Sequence, residues 1–312
     1  MLNPDGAYVS CARGRAKAGL RRSRGTKESM SARQTIDYLR QGAALNREDA
    51  LRNGHMLHFP ASGELVIAGD LHNHWRNYEK IKTFAALERF PERHVILQEI
   101  IHGGALGPDG EDGSIQMLLD AIDWAFQFPG RVHFLLANHD LAQIQAIPIM
   151  KDGYDLTERF NRGFSVFYGG KAADVSAAFR EFVHSMPLAG ITISGIFLSH
   201  SLPGDLDLPS FDAGIVRRTL TDADYQRNGP VYKMVWGRSQ SEQTLAALSK
   251  LWWADAFICG HQMQETGFGV LGKNMLILDS SHNHGVLLPL VLDRQYTLKD
   301  MVKVLVPLAG IE

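Results

Sequence analysis

The chain has 312 residues, enough for one large domain or two small ones with a buried core. Its formal net charge of −2 and ordinary apolar content give no sign of a nucleic-acid or membrane partner. Two cysteines imply no disulfide framework and fit a reducing, cytoplasmic setting, and no apolar stretch reaches the roughly 20 residues that span a bilayer.

Residues 1–30 carry Arg13, Arg15, Lys17, Arg21, Arg22, Arg24 and Lys27 with few large apolar side chains, so a basic, mobile leader is expected there. A solvated tail, an arm for an acidic partner or nucleic acid, an over-extended start ahead of Met30 and a transit peptide are the open readings. No apolar core segment makes it a secretory signal. Residues 31–312 are expected to form a single domain. Ile36, Leu39, Ala43 and Leu45 are spaced as on a helix, with Ser31 as its cap.

After a turn over 60–63, the short run Val66-Ile67-Ala68 stops at Gly69-Asp70-Leu71-His72. The run predicts a buried strand, and an Asp and a His two residues apart can point to one side of an extended chain, which suits a metal ion. The pattern recurs. Val95-Ile96-Leu97 leads to Gln98-Glu99, and 132–137 leads to Asn138-His139-Asp140. Ile196-Phe197-Leu198-Ser199 leads to His200, and Ala256-Phe257-Ile258-Cys259 leads to Gly260-His261. Each run has the length of a buried strand and ends in a side chain that can bind a cation. Between them, 77–90, 115–126 and 244–252 read as helices, the first closed by Pro91. Residues 141–187 read as a helical insertion walling one side of a cleft. Two further apolar runs, 275–278 and 286–291, flank a polar loop that holds His282 and His284, to which no metal is assigned. The alternation argues for a layered α/β architecture.

Taken in order, Gly69-Asp70-Leu71-His72, Gln98-Glu99, Asn138-His139-Asp140, His200 and Gly260-His261 resemble the calcineurin-like metallophosphoesterase superfamily. They look most like its Ser/Thr protein phosphatase branch, with its bacterial and phage members. The resemblance spans roughly residues 64 to 290 as separated blocks. It implies a four-layer metallophosphoesterase sandwich with two central mixed sheets flanked by helices. It also implies two metal ions, manganese, iron or zinc. Asp70 and His72 would hold one, Glu99 would bridge, and Asn138, His200 and His261 would hold the other. A metal-bound hydroxide would attack phosphorus, and His139, oriented by Asp140, would protonate the leaving oxygen.

The implied substrate is a phosphomonoester, by analogy a phosphoprotein. A dinucleoside polyphosphate, a cyclic-nucleotide diester and a catalytically weak phospho-binding module are the alternatives. Two departures bear on the choice. His102-Gly103-Gly104 stands where the family has Asp-Arg-Gly, removing an arginine that would grip phosphate, and the bridge is a Glu where the family has an Asp. Arg238, in a block resembling Trp-Ser-Arg, is the expected phosphate fork, with His102 and Asn138 as further substrate contacts. Arg238 reads nearly as well as a surface arginine, and His102 as a loop histidine.

Overall fold

The computed structural model of the chain describes residues 30–312, so the basic leader expected over 1–30 lies, apart from Met30, outside the described residues. The helix Ala32–Glu48 starts where Ser31 and Gln34 cap one another. Ser31 Oγ accepts from the Gln34 N–H at 3.3 Å, and Gln34 Oε1 accepts from the Ser31 N–H at 3.0 Å.

Two mixed sheets form the centre. One runs Val306–Pro307, Val286–Val291, Glu64–Asp70, Arg93–Gln98, Val132–Leu135. The other runs Arg52–Asn53, Met56–His58, Ala189–Ile191, Ile196–Ser199, Ala256–Cys259, Met275–Leu278, Phe268–Leu271. In the first, the strands ending at Asp70, Gln98 and Leu135 are parallel. In the second, those ending at Ser199, Cys259 and Leu278 are parallel. A parallel bridge between Asp70 and Asp279 joins the two sheets, so all six strands deliver their carboxyl ends to one rim.

The period of two along each strand explains the layering. Leu65 and Ile67 point inward and meet Leu198, Ile258, Leu276 and Leu278 of the opposite sheet in one core cluster. Val66 and Ala68 point outward yet are also fully buried, because helices cover that face. Trp75–Ala85 and Ile115–Gln127 pack on the five-stranded sheet. On the other sheet Trp252, from the helix Glu242–Trp252, stacks flat on Phe197 with ring centroids 4.4 Å apart. Gly69 lies at the seam, where an added Cβ would come within 2.3 Å of the Leu278 carbonyl carbon and oxygen.

Two elements differ from the pattern-based expectation. The helix expected over 77–90 ends at Ala85, because Ala86 turns left-handed (φ 40°) and returns its N–H to the Lys82 carbonyl. The 141–187 stretch is mostly helical but contains a small hairpin, Met150–Lys151 with Tyr154–Asp155. Its first helix, Asn138–Gln145, already begins inside the expected site motif.

Candidate metal centre

The rim where the sheets converge brings together six of the residues named by sequence: Asp70, His72, Glu99, Asn138, His200 and His261. Five of them sit at the ends of buried strands or within two residues past them, and three, His72 (φ 41°), Glu99 (φ 46°) and His261 (φ 69°), have left-handed backbone. His102 (φ 64°) does too. Non-glycine residues hold that conformation only when the surroundings impose it, and it clusters where side chains must be aimed. Here it turns each chain out of its strand as it reaches the pocket.

Glu99 is at the middle. One group of potential ligand atoms, from Asp70, Glu99 and His200, lies within 4.8 Å of one another, and a second, from His72, Glu99 and His139, does the same. His72 Nε2 is 3.4 Å and His200 Nε2 3.5 Å from a Glu99 oxygen. Asn138 Oδ1 lies between two histidines, His200 Nε2 at 2.7 Å and His261 Nδ1 at 2.9 Å. Asp70 and His72, expected as a pair, are joined through Glu99. His139, expected as an acid, stands with His72 beside the same carboxylate, its Nε2 3.9 Å from Glu99 Oε1.

Partners on the far nitrogens set the histidine tautomers. Gln98 donates its amide N–H to the Ala68 carbonyl, which leaves its Oε1 to accept from His200 Nδ1–H at 3.0 Å. His200 Nε2 is therefore bare, and it faces the Asn138 oxygen, itself an acceptor. His72 Nδ1–H donates to the His102 carbonyl at 3.1 Å, so its Nε2 also faces Glu99 as a lone pair. Acceptors converging on acceptors are repulsive unless a cation stands among them.

The electrostatics agree. Burial pushes the Asp70 carboxyl up to about 7, and burial together with the Asp70 charge pushes Glu99 well above the carboxylate range. Burial drives His72 down to about 4, His261 to about 3, and His200 well below the usual imidazole value. Neutral imidazoles, an amide oxygen and two carboxyl groups are the donor set that manganese, iron or zinc accepts, and the residues present fit such ions.

The remaining expected residues fall nearby in different ways. Arg238 is exposed, with Nη2 donating to the His261 carbonyl at 3.4 Å. Asp140 does not meet the far nitrogen of His139. Its Oδ2 accepts the Ala137 N–H at 3.1 Å, capping the helix that begins at Asn138. The group at His139 Nδ1 is His102, Nδ1 to Nδ1 at 3.1 Å. His102 is buried, and its Nε2 lies 2.8 Å from Gln143 Oε1. Gln98 and Gln143 are the partners that sequence reading gave no role. A polar side chain inside an apolar strand, as at Gln98, and a glutamine one turn after His139, as at Gln143, are the signals that could have found them.

No protein-family model matches the sequence, and no curated protein matches it. Solved structures do match its fold. A protein serine/threonine phosphatase from Saccharomyces cerevisiae superposes with a TM-score of 0.66 over 90% of this chain and 94% of that one, at 12% identity. A cold-active protein-tyrosine phosphatase from a psychrophilic Shewanella species gives a TM-score of 0.54 over 80% of each chain, at 15% identity. The fold is metallophosphoesterase-like. Among the described residues no helix is long and apolar enough to cross a membrane.

Proposed function

We propose that this chain is a metal-dependent phosphoester hydrolase acting on phosphomonoesters. The observation that carries the reading is one buried carboxylate, Glu99, shared by two clusters of ligand atoms at the carboxyl rim of the two sheets. Asp70, His72 and Glu99 would hold one ion, and Glu99, Asn138, His200 and His261 the other. Ions bound there would polarise a phosphoryl oxygen and lower the pKa of an attacking water.

The chain's own residues supply the rest. His139 is the proton donor for the leaving oxygen. Burial and the neighbouring imidazoles hold it well below the usual histidine value, so the phosphate dianion has to favour its charged form. Arg238, at the exposed edge beside His261, is placed to neutralise phosphate charge. Phosphoprotein is the favoured substrate class, because both structural neighbours described above carry protein phosphatase names.

The geometry also favours a second reading of one residue: His139, standing with His72 and Glu99, is a metal ligand. His139→Asn separates the two. As a proton donor, it leaves metal content intact and lowers turnover of an alkyl phosphate by about 10²- to 10⁴-fold, with a smaller loss on an aryl phosphate, whose oxygen leaves unaided. As a ligand, it loses metal. Failure of the manganese- or zinc-loaded protein to hydrolyse any phosphomonoester, diester or dinucleoside polyphosphate would leave a phospho-binding module.

A further inference from the structure

We propose that Gln143 is a positioning residue that sets the tautomer and aim of His139 through His102, in place of the carboxylate expected at that far nitrogen. The inference rests on the reading of His139 as proton donor. It follows from one continuous chain of hydrogen bonds. Gln143 Nε2 donates to Asn161 Oδ1 at 2.8 Å, which fixes the amide with Oε1 turned to His102. That oxygen, 2.8 Å from His102 Nε2, requires the imidazole proton there. His102 Nδ1 is then bare, and at 3.1 Å it can only accept, so His139 carries its resting proton on Nδ1.

The consequence is that His139 Nε2, on the side of Glu99, is the nitrogen through which a proton is exchanged. His102 cannot turn freely, since the Phe160 ring packs edge-on against it at 5.4 Å and its own backbone is held at φ 64°. His102 is 1% exposed and Gln143 6%, so the bond between them is shielded from solvent. The relay is neutral at rest, and Asp140 takes no part in it because its side chain caps its own helix.

Three variants and one spectroscopic measurement test this. Gln143→Leu removes the acceptor, Gln143→Glu keeps it, and Asn161→Ala, at an exposed position, frees the amide to turn over. In the zinc-loaded protein, nitrogen-detected imidazole spectra should give His102 protonated on Nε2 and His139 on Nδ1, and Gln143→Leu should abolish that preference. Gln143→Leu should also lower kcat on an alkyl phosphate by about 10- to 100-fold at unchanged KM and metal content, with a smaller loss on an aryl phosphate. Gln143→Glu should retain most of the rate, and Asn161→Ala should fall between. His102 protonated on Nδ1 in the parent, or equal losses on both esters, would overturn the proposal. If the parent hydrolyses no ester, the hydrolase reading fails, and the tautomers decide the relay by themselves.

Discussion

Gly260 illustrates how tightly single residues are constrained around Asp70. A Cβ at this position would lie 2.1 Å from Asp70 Oδ1 and 3.1 Å from Gln98 Oε1, so no side chain larger than hydrogen fits. The next residue's N–H donates to the same Asp70 oxygen at 3.0 Å. Gly260→Ala is expected to push Asp70 and Gln98 aside together, displacing a ligand and the orienter of His200. Calorimetric titration with manganese should register about a 10- to 100-fold loss of affinity, whereas affinity equal to the parent's would show that the carboxylate yields without cost. At this scale the sequence was most informative about residue types and least about partners. Asp70, Glu99, Asn138, His200 and His261 could each be read from a polar residue terminating an apolar run. That His102 takes the far side of His139 could not, because it depends on where Gln143 and Asn161 land after the helices pack.

Among the elements, the strands were legible because both of their faces are covered, which writes continuous apolar runs into the sequence. The boundaries that went unread are those fixed by backbone geometry. Ala86 stops a helix in left-handed conformation without glycine or proline, and the Asn138–Gln145 helix starts on a motif that looks like a loop. The amino ends of the strands carry a second polar feature, remote from the rim. Asp49 Oδ2 meets His133 Nδ1 at 2.8 Å, and His133 Nε2 meets His94 Nδ1 at 3.1 Å. Burial, and then the proximity of His133, lower His94 to about 4. Its folded value lies below the unfolded one of about 6.5, so between those values the unfolded chain binds the extra proton. Stability from this group is present above pH 6.5 and is lost as pH falls toward 4. Because His94 is partly exposed, its share is on the order of 1 kcal/mol after screening. His94→Asn should flatten the fall in urea-melt midpoint across that window, and a slope identical to the parent's would remove His94 as its source.

Taken whole, the molecule is two sheets tied along a seam, and the candidate centre spans it. Asp70, Glu99 and the residues after Leu135 belong to one sheet, whereas His200 and His261 belong to the other. Hydrogen bonds from Gly69 N–H to Ser280 Oγ at 2.9 Å and from Ser280 N–H to the Asp70 carbonyl at 3.1 Å stitch the same edge. An ion held across it acts as a cross-sheet clamp, and at 100 times its Kd linkage gives about 2.7 kcal/mol of added stability. Chelation should therefore lower the melting temperature of the parent and leave a Glu99→Gln variant unmoved; equal melting with and without chelator would argue that the donors do not bind an ion together. The overall architecture was readable from strand and helix alternation, but the seam was not, since Gly69 and Ser280 are ordinary residues 211 positions apart.

The raised affinity of Asp70 and Glu99 for hydrogen ions has a bearing on how such an ion would arrive. Near neutrality the two carboxyl groups retain a proton in the space where a cation would sit, so loading is an exchange. Alkaline conditions empty that space and acid refills it. The occupancy of the centre, and any activity that depends on it, would thus follow the acidity of the surroundings through these two carboxyl groups.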